Sequence, residues 1–106
     1  MDTPDAEKAV RDEIQQWELT FRYQLLDRMR LDCDYFLAGG NGLCKYLWAG
    51  TVEGQIQYMK ALWNSFREEE KPEWLSYTEI CRYEARMRTF HRKSDQEENY
   101  DEENQM

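Results

Sequence analysis

The sequence predicts an all-α protein: a small bundle of three main helices, an N-terminal helical arm, and a disordered acidic C-terminal tail. Three observations carry that expectation. Apolar side chains recur at steps of three and four in separate stretches, the period of one helix face. Two prolines and five glycines are few, and most stand where segments begin or end. Helix-start signals occur at Thr3-Pro4, at Thr51, and at Ser76-x-x-Glu79.

Taken in order, residues 3–38 read as helix. Pro4 suits the first helical position, where a missing N–H costs nothing. Val10, Ile14, Trp17 and Phe21 form one apolar stripe, and Leu26, Met29, Cys33, Phe36 and Leu37 form another. The stripes are out of phase by about one residue, and an unbroken helix would be about 50 Å long. We therefore expect either a bend near residues 20–24 or an arm that projects past the core. The first stripe would then pack on its own domain or meet a second copy of the chain.

Residues 39–42, Gly-Gly-Asn-Gly, end this helix, because glycine and asparagine tolerate the positive φ that helix C-termini use. They are no phosphate cradle, since no strand precedes them and no Lys-Ser/Thr follows. Residues 43–50 form an ordered connector, with Trp48 packing back over the turn. Thr51 then caps a helix with Val52, Ile56, Met59, Trp63 and Phe66 on its buried side. Glu53, Gln57, Lys60, Asn64 and Arg67 face water. Residues 67–73 are a charged loop with Pro72. Ser76 and Glu79 make a capping box, Leu75 staples against Ile80, and a helix over 77–91 buries Ile80, Tyr83, Met87 and Phe90. The resulting divisions are an arm over 1–22, a core over 23–93 and a tail over 94–106.

The formal net charge is −8. The tail holds six acids and no base, so residues 1–93 keep 16 acids against 14 bases, a charge of −2. A generally basic, nucleic-acid-binding surface is not the expectation. No apolar run is long enough for a membrane helix, and the acidic start is unlike a secretory signal. Cys33, Cys44 and Cys81 lack both a disulfide-framework spacing and a zinc-ligand spacing, which points to free thiols in a reducing cytoplasm. His91, the one histidine, has no nucleophile or carboxylate at a readable spacing. We expect no catalytic residues, no metal, no cofactor and no small-molecule substrate.

Charge supplies the candidate contacts. Asp27, Asp32 and Asp34 crowd the second half of the first helix. Glu68, Glu69, Glu70 and Glu73 cluster in the charged loop. Such carboxylates can imitate phosphates and occupy a basic groove. Arg82, Arg86, Arg88, Arg92 and Lys93 mark the last helix as an alternative nucleic-acid-binding face, shielded by the acidic tail. Val10, Ile14, Trp17 and Phe21 are the candidates for a homodimer contact.

Three blocks carry a family resemblance: DCDYFLAGGNG at 32–42, LWAGTVEGQIQYMKALWNS at 47–65, and KPEWLSYTEICRYEARM at 71–87. They resemble the eleventh of the large polyvalent protein-associated domains, over roughly residues 23–88. The resemblance implies a small helical domain of unassigned activity, without a catalytic motif. It also implies a setting in phages, plasmids and conjugative elements. In that setting we expect a non-enzymatic interaction protein whose partner is a basic protein surface. Its most concrete form is an anti-CRISPR-type inhibitor that covers the nucleic-acid-binding surface of a host RNA-guided nuclease. The alternatives are a structural accessory or dimerisation module in conjugation and an autoinhibited nucleic-acid-binding regulator.

Overall fold

The helix that begins at Val52 is the element on which the others pack. In the computed structural model, which describes residues 3–90 with side chains from Lys8 onward, α1 spans Thr3–Gln15 and α2 spans Leu19–Phe36. The central helix, α3, spans Val52–Ser65, and α4 covers residues 77–90, the last of them the last residue described. Two 3₁₀ turns, Cys44–Tyr46 and Glu68–Glu70, lie in the connections. The described residues include no strand.

Thr51 starts α3 as its sequence suggests. Its hydroxyl accepts the Gly54 N–H at 2.9 Å, satisfying one of the free donors of the first turn. The helix then buries Val52, Ile56, Met59 and Leu62, with Phe66 following at its end. Trp63 differs from the expected stripe. Leu62 holds the fully buried place, and Trp63 lies half-buried at the edge with its indole N–H donating to the Leu75 carbonyl at 2.9 Å. An indole needs such an acceptor, which an apolar core centre would deny it. Lys60, expected in water, is half-buried and reaches Glu84 on α4 at 2.9 Å.

The long first helix is broken, and the break is earlier than the expected bend. Residues 16–18 leave the helix, and Glu18 is extended. This turn resolves the phase difference between the two apolar stripes by folding α1 back onto α3. Ile14 becomes fully buried, Val10 packs against the core, and Glu13 accepts the Tyr58 hydroxyl of α3 at 2.8 Å. The segment is thus part of the core and does not project as an arm. Of its stripe, Phe21 stays exposed, with Trp17 against it edge-on at 5.2 Å. Arg22 locks the turn. It donates to the Trp17 carbonyl at 3.1 Å, and to the Ser65 carbonyl and hydroxyl at 3.3 and 3.0 Å. Its cation therefore meets the negative end of α3.

After α2 the chain turns through Asn41 and Gly42, whose φ values are 55° and 73°. Gly50 (φ 83°) makes the second turn, into α3. The capping box of α4 forms as its spacing predicts: Ser76 Oγ accepts the Glu79 N–H at 3.1 Å, and Glu79 accepts the Ser76 N–H at 2.8 Å. Leu75 and Ile80 are both buried beneath it, as is Met87 further along. Tyr83 and Phe90 are half-buried, with Phe90 edge-on to Phe36 at 6.2 Å.

Among the described residues, one polar side chain is buried with these apolar ones. Gln55 accepts the Ala49 N–H at 2.9 Å and donates to the Met29 carbonyl at 3.2 Å, joining α3 to the connector and to α2. Replacing Gln55 with leucine leaves the Ala49 donor without its acceptor. Urea denaturation should show a loss of about 1–3 kcal/mol, while Asn64→Leu on the exposed face should stay within about 0.5 kcal/mol of the parent.

Candidate interaction surfaces

The acids of α2 are engaged within the fold. Asp27 and Asp34 bracket Arg30 at helical spacing, at 2.6 and 4.0 Å. Asp34 also accepts the Tyr83 hydroxyl of α4 at 2.6 Å. Burial and that hydrogen bond both push the Tyr83 ionisation upward. Arg30 stands over the Trp74 ring at 5.5 Å. Asp32 accepts the Trp48 N–H at 3.1 Å and faces Arg28 at 3.5 Å. Asp34 and Asp32 therefore tie α2 to α4 and to the connector, while Asp27 is paired within α2, which reduces what the three can offer a partner.

The acids of the loop are displayed outward. Glu68, Glu69 and Glu73 are exposed, while Glu70 turns back and accepts the Arg67 N–H at 3.0 Å. Four contacts tie the turn down. The Tyr23 hydroxyl donates to the Glu70 carbonyl, and the Tyr23 ring stacks on Phe66 at 4.4 Å. Lys71 donates to the Phe66 carbonyl at 2.7 Å and lies over the Trp63 ring at 4.6 Å. Glu69 comes within 4.0 Å of Arg67, but both side chains are more than two-thirds exposed. A pair so solvated contributes little, and it does not withdraw Glu69 from a partner.

On α4, Arg82 and Arg86 are exposed. Arg88 instead pairs with Glu84 at 2.8 Å, and Glu84 also takes Lys60. The Lys60 hydrogen bond holds the Glu84 carboxyl below its ordinary range, against the effect of burial. Arg92, Lys93, His91 and the acidic tail lie outside the described residues. An open groove of about 690 Å³ runs over α3 between α1 and α4. Its walls mix Arg11, Lys60 and Arg88 with Glu53 and Glu84, so it favours neither charge.

A third surface was not legible in the sequence as a site. Leu31, Tyr35, Tyr46 and Trp48 are 51%, 49%, 39% and 42% exposed, too open to be core. Trp48 leans edge-on against Tyr58 at 5.1 Å, so only part of it packs over the turn. The signal available beforehand was the placement of Leu31 and Tyr35, one turn apart and off the buried stripe of α2.

Among the described residues, no group of three His, Cys, Asp or Glu side chains is placed to hold a metal ion. Nor is any described helix long and apolar enough to cross a membrane. Cys33 is fully buried beside Met59, with its sulfur 3.6 Å from the methionine sulfur. Burial, with Asp32 and Asp34 nearby, pushes its thiol from 9.0 up to about 12.

Fold and surfaces together define a small all-α domain built around one central helix. The family model for large polyvalent protein-associated domain 11 matches residues 19–87, well over half of the chain, and the chain belongs to that family. The match begins with the first residue of α2 and ends in α4. No curated protein and no solved structure matches the chain.

Two thiol measurements follow from the burial of Cys33. A thiol-reactive dye should label the exposed Cys81 first and reach Cys33 only on unfolding. Because the folded Cys33 keeps its proton longer than the unfolded one, its contribution is full below about pH 9 and is lost as pH rises above it. Cys33→Ala should therefore flatten the fall in melting temperature between about pH 9 and pH 10.

Proposed function

We propose that this chain is a non-enzymatic interaction protein of a mobile genetic element that places the exposed acids of the 67–73 turn against a basic surface of another protein. The observation that carries this reading is the contrast between its two acidic clusters. Asp27, Asp32 and Asp34 are engaged within the fold, whereas Glu68, Glu69 and Glu73 are held outward on a turn fixed by Tyr23 and Lys71. A held backbone costs little further backbone ordering on binding. It also steers a basic partner through long-range attraction. The family's setting supports the most concrete form, an anti-CRISPR-type inhibitor that covers the nucleic-acid groove of an RNA-guided nuclease.

A panel of RNA-guided nucleases, assayed for DNA cleavage with and without the full chain, tests this. The expected result is inhibition of at least one, relieved by Glu68→Lys, Glu69→Lys and Glu73→Lys together. It should weaken steeply with salt, since exposed charges are screened beyond about 8 Å at physiological ionic strength. No inhibition and no capture of any nuclease would remove the proposal.

The exposed Arg82 and Arg86 favour a second reading, in which α4 contacts phosphates and the acidic tail shields it. Removing residues 94–106 should then reveal DNA or RNA binding at low salt. A truncated chain that still ignores both would end that reading. A dimerisation module is less favoured, because Ile14 is already buried within one chain.

A further inference from the structure

We infer that Tyr100, in the acidic segment 94–106, seats in a recess between the end of α2 and the last turns of α4, with the acids around it meeting Arg82 and Arg86. The inference rests on the second reading above for the segment's place over α4 and adds what holds it there. The contact lies within one chain and forms with no nucleic acid present. The recess, of about 540 Å³, is lined by Leu37, Ala85, Arg86, Thr89 and Phe90. Leu37 and Phe90 are half-buried, while Ala85, Arg86 and Thr89 are exposed. Both half-buried side chains pack against the core, Phe90 edge-on to Phe36 at 6.2 Å, so the apolar wall is fixed. Thr89 spends its hydroxyl on the Ala85 carbonyl at 3.1 Å and asks for no partner from an occupant.

The surroundings leave positive charge without a partner. Arg82 and Arg86 are exposed one turn apart on α4, and the ion pairs among the described residues leave both out. The acids of α4 and of the adjoining end of α2 are engaged elsewhere. Asp34, although its side chain is 52% exposed, accepts the Tyr83 hydroxyl at 2.6 Å and meets Arg30 at 4.0 Å. Glu79 accepts the Ser76 N–H at 2.8 Å, and Glu84 pairs with Lys60 and Arg88. Residues 35–52, the end of α2 and the connector, contain no acid.

The segment supplies what this face lacks. Residues 94–106 hold six acids, no base and one aromatic residue, Tyr100, which Glu97, Glu98, Asp101 and Glu102 flank. A tyrosine can lay its ring on an apolar wall and keep its hydroxyl in water. An arginine guanidinium beside the ring adds a cation–π contact, and the flanking carboxylates complement both arginines. The tether favours this occupant over a free one. The last described residue, Phe90, is itself part of the wall. Nine residues separate it from Tyr100, a reach of about 30 Å when extended. The helix between Ala85 and Phe90 is only about 8 Å long. A short tether holds its ligand at about millimolar effective concentration, so a contact too weak for a free peptide is populated within the chain.

The test uses the full chain with isotopically labelled leucine methyls and tyrosine rings. A nuclear Overhauser contact between the Tyr100 ring and the Leu37 methyls is expected, at an intensity independent of protein concentration. Tyr100→Ser should remove it and shift resonances of Leu37 and residues 85–90, while the buried Leu26 and Leu62 stay in place. Arg82→Glu with Arg86→Glu, both at exposed positions, should weaken docking by about tenfold. The combined Glu68→Lys, Glu69→Lys and Glu73→Lys variant should keep the contact, so failure of the nuclease assay leaves this readout intact. If the contact is present and the chain lacking residues 94–106 still ignores DNA and RNA, the inference stands and the second reading falls. If the contact is absent and that truncated chain binds DNA or RNA, the inference falls and the second reading stands. No contact, a Tyr100 contact to another surface, one that fades on dilution and so belongs to a second copy, or one indifferent to the arginine substitutions would each overturn the proposal.

Discussion

A single buried amide fixes how the parts of this domain meet. Gln55 faces inward from α3, the helix on which the others pack, and its two ends are satisfied by different elements: the Ala49 N–H before α3 and the Met29 carbonyl in α2. Apolar contacts drive burial but do not specify register, because they are non-directional. Two directional bonds in a low-dielectric interior do, since a shift of either neighbour leaves a polar group unpaired at a cost of about 1–3 kcal/mol. The connector that Gln55 anchors carries Tyr46 and Trp48, and the helix it anchors carries Leu31 and Tyr35. The aromatic face therefore depends on the same interaction as the core.

The charged residues divide by the same logic. Where a carboxylate falls within one turn of an arginine on its own helix, or opposite a hydroxyl of another, the fold uses it. Asp27 and Asp34 around Arg30, and Glu84 between Lys60 and Arg88, are examples. Where acids stand in a row on a 3₁₀ turn, geometry lets one of them, Glu70, turn back to the chain and leaves its neighbours facing solvent. A net acidic chain thus becomes a body with one acidic edge, one aromatic flank, and exposed arginines on its last helix. The acidic edge and the aromatic flank are each held by identifiable contacts.

Much of this architecture was legible in the sequence because local signals and burial agreed. Thr51, the Ser76–Glu79 box and the staple of Leu75 on Ile80 each state a helix start in a few residues, and each forms. The break at residues 16–18 was misplaced because no glycine or proline marks it. It arises from packing, as α1 folds back to bury Ile14, and long-range packing leaves only the phase slip between stripes as its trace. Asp32 and Asp34 were read as surface acids because helical spacing cannot show a partner on another element, here Trp48 and Tyr83. Gly39 and Gly40 stand in the turn expected of them but without positive φ, and their lack of a side chain makes room for the tyrosine rings instead. Membership of the large polyvalent protein-associated domain 11 family was readable from three blocks, since those blocks combine the glycine turn, the capped central helix and the capping box.

The central claim is that this chain works by presenting a preformed acidic edge to a macromolecular partner. Amide hydrogen exchange on the full chain, alone and with each nuclease of the panel, measures it most directly. The account predicts that one nuclease protects residues 66–74 and leaves the outer face of α4 exchanging as in the free chain. Protection confined to residues 82–90, or none with any nuclease, would contradict it.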